Sequence, residues 1–382
     1  MPADFSDLAE IHDELRAVAR DLLGKSGPGA ATDWGRIAET GWLGLEAPAD
    51  LDGAEATFAE VAVVLEEMGR AAACGPYLGA AVLGVGTLTL LRAGEERDAL
   101  LGRAVTGESV PVLALPGGAE DLGGAGGLGG GDAAADGAGG AASAEPPFRL
   151  ERSADGLRVH GRADFVLDAP DADRLLLPAL DPEGALAVVA TTAGAAGLGL
   201  EDRPVLDATR RFGAVTADGV AVGEEAVWRF DGDPRDALRR LRDRAAVAVA
   251  CDSLGLSEAM LDATVAYAGV REQFGSPIGS FQAVKHACAD MLVQVTVARR
   301  LVSAAVRALV EGDPESWVAA SMAKSYACGA AVEVTGKAMQ LHGGMGYTWE
   351  SGIHVFLKRA TLNRSLFGSP TAHRRRLASR YR

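Results

Sequence analysis

A chain of 382 residues can hold two or three domains and bury a large core. Apolar residues make up 48% of it and aromatics only 5%; the bulk is Ala, Val, Leu and Gly, which suits closely packed helices. The net charge of −15 argues against a nucleic-acid partner, because a polyanion would be repelled.

Residues 1 to about 110 read as helices. Asp7 to Leu23 keeps an apolar stripe through Leu8, Ile11, Leu15, Val18, Ala19 and Leu22 at three- and four-residue steps. Trp34 to Thr40 is a short helix ended by Gly41, and Phe58 to Gly69 is another. Gly79 to Ala93 is almost wholly apolar and is expected in the interior. The opening stretch is acidic and amphipathic, unlike a signal peptide, and no apolar run is long enough to span a membrane. A cytoplasmic protein is expected. Cys74, Cys251, Cys288 and Cys328 share no metal-ligand spacing. They read as buried thiols in a reducing compartment, and no metal is expected.

From residue 111 to about 230 the pattern changes. Gly117 to Ala144 is built almost only of Gly, Ala, Asp and Ser, which predicts a flexible loop. Short strand-like runs follow: Phe148 to Arg152, Leu157 to His160, Ala163 to Leu167, Arg174 to Pro178, Ala185 to Thr191 and Ala214 to Val222. Their spacing predicts a small antiparallel barrel or sandwich, with a hairpin turn at Asp155-Gly156. Residues 231–382 return to the helical period, with helices near 236–269, 281–310, 314–342 and 353–366 forming a four-helix unit. The run Arg374 to Arg376, with Arg380 and Arg382, reads as a solvated helix end or a local subunit contact.

Two stretches in this last region carry the functional signal. Tyr267 to Gln282 (YAGVREQFGSPIGSFQ) crosses a break at Gly275 to Gly279 between two helices. Met339 to Tyr347 (MQLHGGMGY) ends a third helix at Gly343-Gly344, where paired glycines permit close approach to another backbone or a ligand. Arg271 stands just before the break. Its planar fork of donors suits phosphate, but a pair with Glu272 or Asp290 is equally compatible with the spacing.

The segment REQFGSPIGSFQAVKHACADM resembles the acyl-CoA dehydrogenase family, as does QLHGGMGYTWE; WGRIAETGWLGLEAPAD and FAEVAVVLEEMGRAAACGPYLG resemble its opening helical domain. The resemblance extends over nearly the whole chain. It implies an α+β fold of N-terminal helical domain (1–110), central β domain (111–230) and C-terminal helical bundle (231–382). It also implies FAD as cofactor, an acyl-CoA thioester as substrate, and a tetramer built as a dimer of dimers. The family residues that hold the flavin's ADP portion, partly from a neighbouring subunit, match Arg271, Phe274, Gln282, Gln340, Gly343 and Gly344.

The ring end departs from the family. A Thr- or Ser-Glu-Pro and a Gly-Ser loop are replaced by LALPGGAED, and the positions of a stacking Trp and a hydrogen-bonding Thr or Ser fall on Phe165 and Leu167. Such a dehydrogenase needs a carboxylate base for the α-proton, a hydride acceptor, and hydrogen bonds that polarise the thioester carbonyl. The two places where the family puts the base are Phe367, in Phe367-Gly368-Ser369, and Ala245. Asp243 lies about 200° round the helix from Ala245. Asp252 is on the same face, roughly 10 Å along the axis. It is the one candidate base, set against a buried helix–helix contact or a charged pair; Glu350 reads as structural.

The expectation is therefore a subunit without its own active site, lending half a flavin site to a second acyl-CoA dehydrogenase-like chain, as in the heteromeric actinobacterial members it resembles. The alternatives are a homomeric flavoenzyme with its base moved, and a flavin-free scaffold.

Overall fold

The computed structural model describes residues 5–25, 27–118, 146–154 and 156–381. Most of the glycine-rich tract and Asp155 of the expected hairpin turn lie outside the described residues. Helices come first: α1 (Phe5–Leu23), α2 (Trp34–Glu39), α3 (Phe58–Ala71), a π-helical stretch Leu78–Val85 running into α4 (Gly86–Leu88), and α5 (Glu95–Val105). A sheet of eight strands follows: β1 (Pro111–Leu113), β2 (Phe148–Ser153), β3 (Gly156–Leu167), β4 (Arg174–Leu180), β5 (Leu186–Thr192), β6 (Leu198–Asp202), β7 (Phe212–Val222) and β8 (Val227–Trp228). Then come α6 (Pro234–Val270), a hairpin of β9 (Glu272–Gln273) and β10 (Ser276–Pro277), α7 (Gln282–Val310), α8 (Ser316–Leu341), α9 (Ile353–Ser365) and α10 (Pro370–Ala378). The expected order of helices, sheet and helices is the observed one.

Local chemistry explains several boundaries. Thr57 and Glu60 form a reciprocal capping box at the start of α3. Glu60 also holds His12 of α1 at 2.7 Å, and Glu67 takes both ends of the Arg20 fork at 2.9 Å. These contacts lay α1 on α3. Asp233 caps α6 through the Arg235 N–H, with Pro234 in the first turn.

The sheet order is β6-β7-β3-β2-β4-β5-β8, with β1 beside β4. It is antiparallel except where β1 and β2 each run parallel to β4. The long connection between β1 and β2 is what lets both lie against one strand in the same sense. Two expected strands merge into the single strand β3, which runs through Gly161 at φ +142° and shifts register twice against β7. Alternation reads this irregular stretch as a break; β6, β8, α5 and α10 are too short or too polar for it to register.

The central helix is α6. It is buried on all sides from Ala245 to Ser257, because α3, α8 and α9 pack around it. Two glycines permit the tightest of these contacts. A Cβ at Gly255 would stand 1.7 Å from the Glu66 carbonyl oxygen, and one at Gly69 would stand 2.0 Å from that of Asp252. The backbones of α3 and α6 therefore touch. Gly255→Ala must push the helices apart; overpacking of this kind costs about 1–3 kcal/mol or more, so Tm should fall. A thermal melt unchanged from wild type would show that the crossing yields freely.

Candidate functional site

Three regions answer to the residues singled out in the sequence. The first is the place expected for a flavin ring. Here three remote stretches meet. The Gly117 N–H donates to Phe165 O at 3.1 Å, the Phe367 N–H donates to Gly117 O at 3.1 Å, and Pro116 bridges to Val166. A Cβ on Gly117 would lie 3.2 Å from Phe165 O and 3.5 Å from Leu366, so the glycine is what lets these chains close up. Phe165 and Phe367 both hold positive φ, +52° and +49°, a strained state for a bulky residue. Phe165 is half-exposed, while Phe367 and Leu167 are buried. Among the described residues, the side chains that meet here, Pro116, Phe165, Val166, Leu366 and Phe367, are all apolar.

A polar floor fixes the Phe367 turn. Lys324, fully buried, donates to the carbonyls of Asn363 (3.0 Å) and Arg364 (3.4 Å), open acceptors at the end of α9, and to that of Gly368 (2.8 Å) in the turn beyond it. His373 Nε2 lies 3.0 Å from Phe367 O, and Nδ1 lies 3.2 Å from Ser321 Oγ. Burial, with Lys324 beside it, pulls the His373 pKa down to about 3, so the ring is neutral at physiological pH.

The second region is the surface formed by the two sequence motifs. Tyr267 stacks on His342 with ring centroids 4.4 Å apart, which joins the end of α6 to the end of α8. Arg271 ends α6. Among the described residues its side chain has no hydrogen bond or ion pair, so neither Glu272 nor Asp290 claims it. Phe274 and Gly275 turn the β9–β10 hairpin at φ +53° and +76°. Phe274 is 94% exposed and meets Phe281 edge-on at 6.2 Å. Gln282, Gln340, Gly343 and Gly344 are exposed as well. Gly343 needs its glycine for φ +58°, but Gly344 has no positive φ, and a Cβ there would meet nothing within 4 Å. Among the described residues nothing demands a glycine at 344.

The third region is Asp252, 1% exposed at the junction of α6 with α9 and the loop after β6. Its carboxylate accepts from Arg359 Nη2 (2.5 Å) and Nε (3.1 and 3.2 Å) and from Asn363 Nδ2 (2.5 Å), and Arg210 Nη2 stands 3.2 Å away. Burial alone would raise its pKa. Arg359 and Arg210 outweigh that and hold it at about 2. Arg359 Nη1 reaches on to Ala73 O (2.7 Å) and Thr209 Oγ1 (2.9 Å), so one side chain joins all three parts of the fold. This matches the charged-pair alternative for Asp252. Sequence reading missed Arg359, Asn363 and Arg210. A signal was present: Arg359 and Asn363 share the face of α9 that buries Phe356 and Ala360. Asp243 is likewise engaged, with Arg376; Ala245 is fully buried, and Glu350 is exposed on a 3₁₀ turn. Two of the cysteines, Cys74 and Cys288, are only partly buried, contrary to expectation.

Among the described residues, no helix is long and apolar enough to cross a membrane, and no group of three or more His, Cys, Asp or Glu side chains is placed to hold a metal.

The N-terminal domain model of the acyl-CoA dehydrogenases matches residues 9–108, and the C-terminal domain model matches residues 237–381. The chain belongs to the acyl-CoA dehydrogenase family. It is 29% identical to the acyl-CoA dehydrogenase IpdE2 of Mycolicibacterium smegmatis over 90% of this chain and 86% of that protein. Among solved structures it is similar to a variant of the Tcur3481-Tcur3483 steroid ACAD, at 27% identity and a TM-score of 0.78, covering 97% of this chain and 98% of the other. It is also similar to the ChsE4-ChsE5 complex from Mycobacterium tuberculosis, at 25% identity and a TM-score of 0.79, covering 98% and 96%.

Removing the Asp252 carboxylate leaves two buried guanidiniums facing each other. Asp252→Ala should cost about 3–5 kcal/mol, read as a large fall in Tm at neutral pH. A second test concerns Asp168, which accepts from the Gly79 N–H at 2.9 Å. Burial, only partly offset by Arg210, lifts its pKa to about 7. Its folded pKa exceeds its unfolded one, so its contribution is full below about pH 4 and is lost as pH rises through 7. Asp168→Asn keeps the hydrogen bond and removes the titration. Its Tm should gain on wild type between pH 5 and pH 8, and parallel curves would show that the carboxyl titrates normally.

Proposed function

We propose that this chain is the non-catalytic, FAD-supporting subunit of a heteromeric acyl-CoA dehydrogenase that oxidises the α,β bond of an acyl-CoA thioester. The observation that carries this reading is the contrast between two surfaces of one chain. The Arg271 surface fits the ADP half of a flavin: a guanidinium without a partner, an exposed aromatic, and a glycine at 344 that the chain itself does not require. The Phe165–Phe367 junction does not fit the ring half. Among the described residues, the side chains that meet there, Phe165, Leu167 and Phe367, offer neither the hydrogen-bond partners a flavin ring needs nor a carboxylate to take a proton.

In this reading FAD, when bound, supplies the hydride acceptor. Arg271 neutralises pyrophosphate charge, Gln282 and Gln340 contribute amide contacts, and Gly343-Gly344 admits the adenosine end. The cradle for the ring and the catalytic base belong to a partner chain. The likeness to the ChsE4-ChsE5 and Tcur3481-Tcur3483 complexes supports a two-chain assembly. The alternative, a homomeric enzyme with its base moved, has Asp252 as its candidate. Its carboxylate is already shared among Arg359, Asn363 and Arg210 and is held at about 2, so it has little tendency to accept a proton at neutral pH.

Flavin per chain is the decisive quantity. The chain purified alone should carry little FAD, and its complex with a second acyl-CoA dehydrogenase-like chain should carry one FAD per pair. One FAD per chain alone, bleached by an acyl-CoA, would overturn the proposal. Within the complex, Arg271→Ala should strip FAD with little change in the Tm of the apo protein. A lowered Tm with FAD retained would assign Arg271 a structural role instead.

A further inference from the structure

We propose that one water molecule is bound inside the joint where Arg210, Asp252 and Arg359 meet, as a fixed part of the fold. This is independent of the flavin reading. The decisive side chain is Arg210, which stands in the loop between β6 and β7 and is only 7% exposed. Among the described residues its Nε and Nη2 are buried without a hydrogen-bond partner. Nη2 comes within 3.2 Å of Asp252 Oδ1, an ion-pair distance without the alignment of a hydrogen bond. An exposed guanidinium such as that of Arg271 is served by bulk solvent. A buried one with two unmet N–H groups is not, and inside proteins ordered water satisfies groups of this kind.

Room for the water exists at the same place. A small cavity is lined by Arg210 together with Asp252 of α6, Arg359 of α9, and Cys74 and Tyr77 from the segment after α3. Its walls thus come from the helices before the sheet, a loop of the sheet and the helices after it. The space open to the centre of a water is about 10 Å³. That is close to the least room one water needs, and too little for a second water or a polyatomic ligand.

The lining groups also fix what the occupant must do. Arg359 spends Nε and Nη2 on Asp252 and Nη1 on Ala73 O and Thr209 Oγ1. The Tyr77 hydroxyl donates to Trp42 O at 3.2 Å, and Cys74 Sγ donates to Gly29 O at 3.0 Å. Of these donors, those left unmet belong to Arg210. The occupant must accept from Arg210 and, beside a carboxylate, donate to Asp252; water does both. Charge argues against an anion. Arg210 and Arg359 both stand against Asp252, and Asp207 and Asp168 also act on Arg210. Two guanidiniums are met by at least as many carboxyl groups, so no positive charge is left over, and a neutral occupant suits the joint.

The test is a crystal structure of the full chain, soaked in sodium bromide, at a resolution that shows ordered water. One density peak with the weight of an oxygen should lie about 2.7–3.2 Å from an Arg210 nitrogen and from the Asp252 carboxylate. No peak there overturns the proposal. So does a peak with the anomalous signal of bromide, which would make this a halide site. Arg210→Met keeps an extended side chain and removes the N–H donors, so in its crystals the peak should be gone. In solution, oxygen-17 relaxation dispersion of water counts long-lived internal waters, and the variant should hold one fewer per chain than wild type. A peak that persists in Arg210→Met, with an unchanged count, overturns the role given to Arg210. If that variant does not fold, the wild-type density decides by itself.

Discussion

One buried charge cluster holds this molecule together. Asp252 stands on α6, the helix that everything else surrounds, and Arg359 from α9 closes on it with two nitrogens. The same guanidinium reaches the Ala73 carbonyl beyond α3 and the Thr209 hydroxyl in the loop between β6 and β7. Helices before the sheet, the sheet itself and helices after it thus meet at a single side chain. A charge in such a place is tolerable only when fully paired, so each partner is obligatory once the first is buried. The close crossing at Gly69 and Gly255 brings α3 near enough for this joint to form.

That constraint bears directly on function. The one carboxylate on the same helix face as the expected base position, Asp252, is consumed in holding the fold. The turn at Phe367 is equally committed. Lys324 and His373 hold the carbonyls of Gly368 and Phe367, and the Phe367 side chain is buried. Among the described residues, the side chains that meet where chemistry would be expected are apolar. The surface at Arg271, Phe274 and Gly344 has the opposite character. It is exposed and carries groups that the chain does not use internally.

Much was legible from the amino-acid order. The helical periods of α1, α3 and the long C-terminal helices, the strand-rich middle and the two motifs at Tyr267–Gln282 and Met339–Tyr347 all follow from local pattern, because burial of one face imposes a period on whatever sequence forms it. The apolar character of Phe165, Leu167 and Phe367 was equally plain, and the family comparison places the chain where the motifs put it. Less was legible where the pattern is irregular. β3 runs through a glycine and two register shifts, and β8 is two residues long.

The sequence by itself determined the class of fold and the family, since these depend on periodicity and on short contiguous motifs. Only the tertiary structure decided what Asp252 does. Its partners are Arg210, Arg359 and Asn363, the farthest of them 111 residues away along the chain. A pKa depends on what surrounds a carboxylate in space, and neither spacing nor composition carries that information. The same holds for the meeting of Gly117, Phe165 and Phe367. Each is a contact between remote segments that only a packed chain creates.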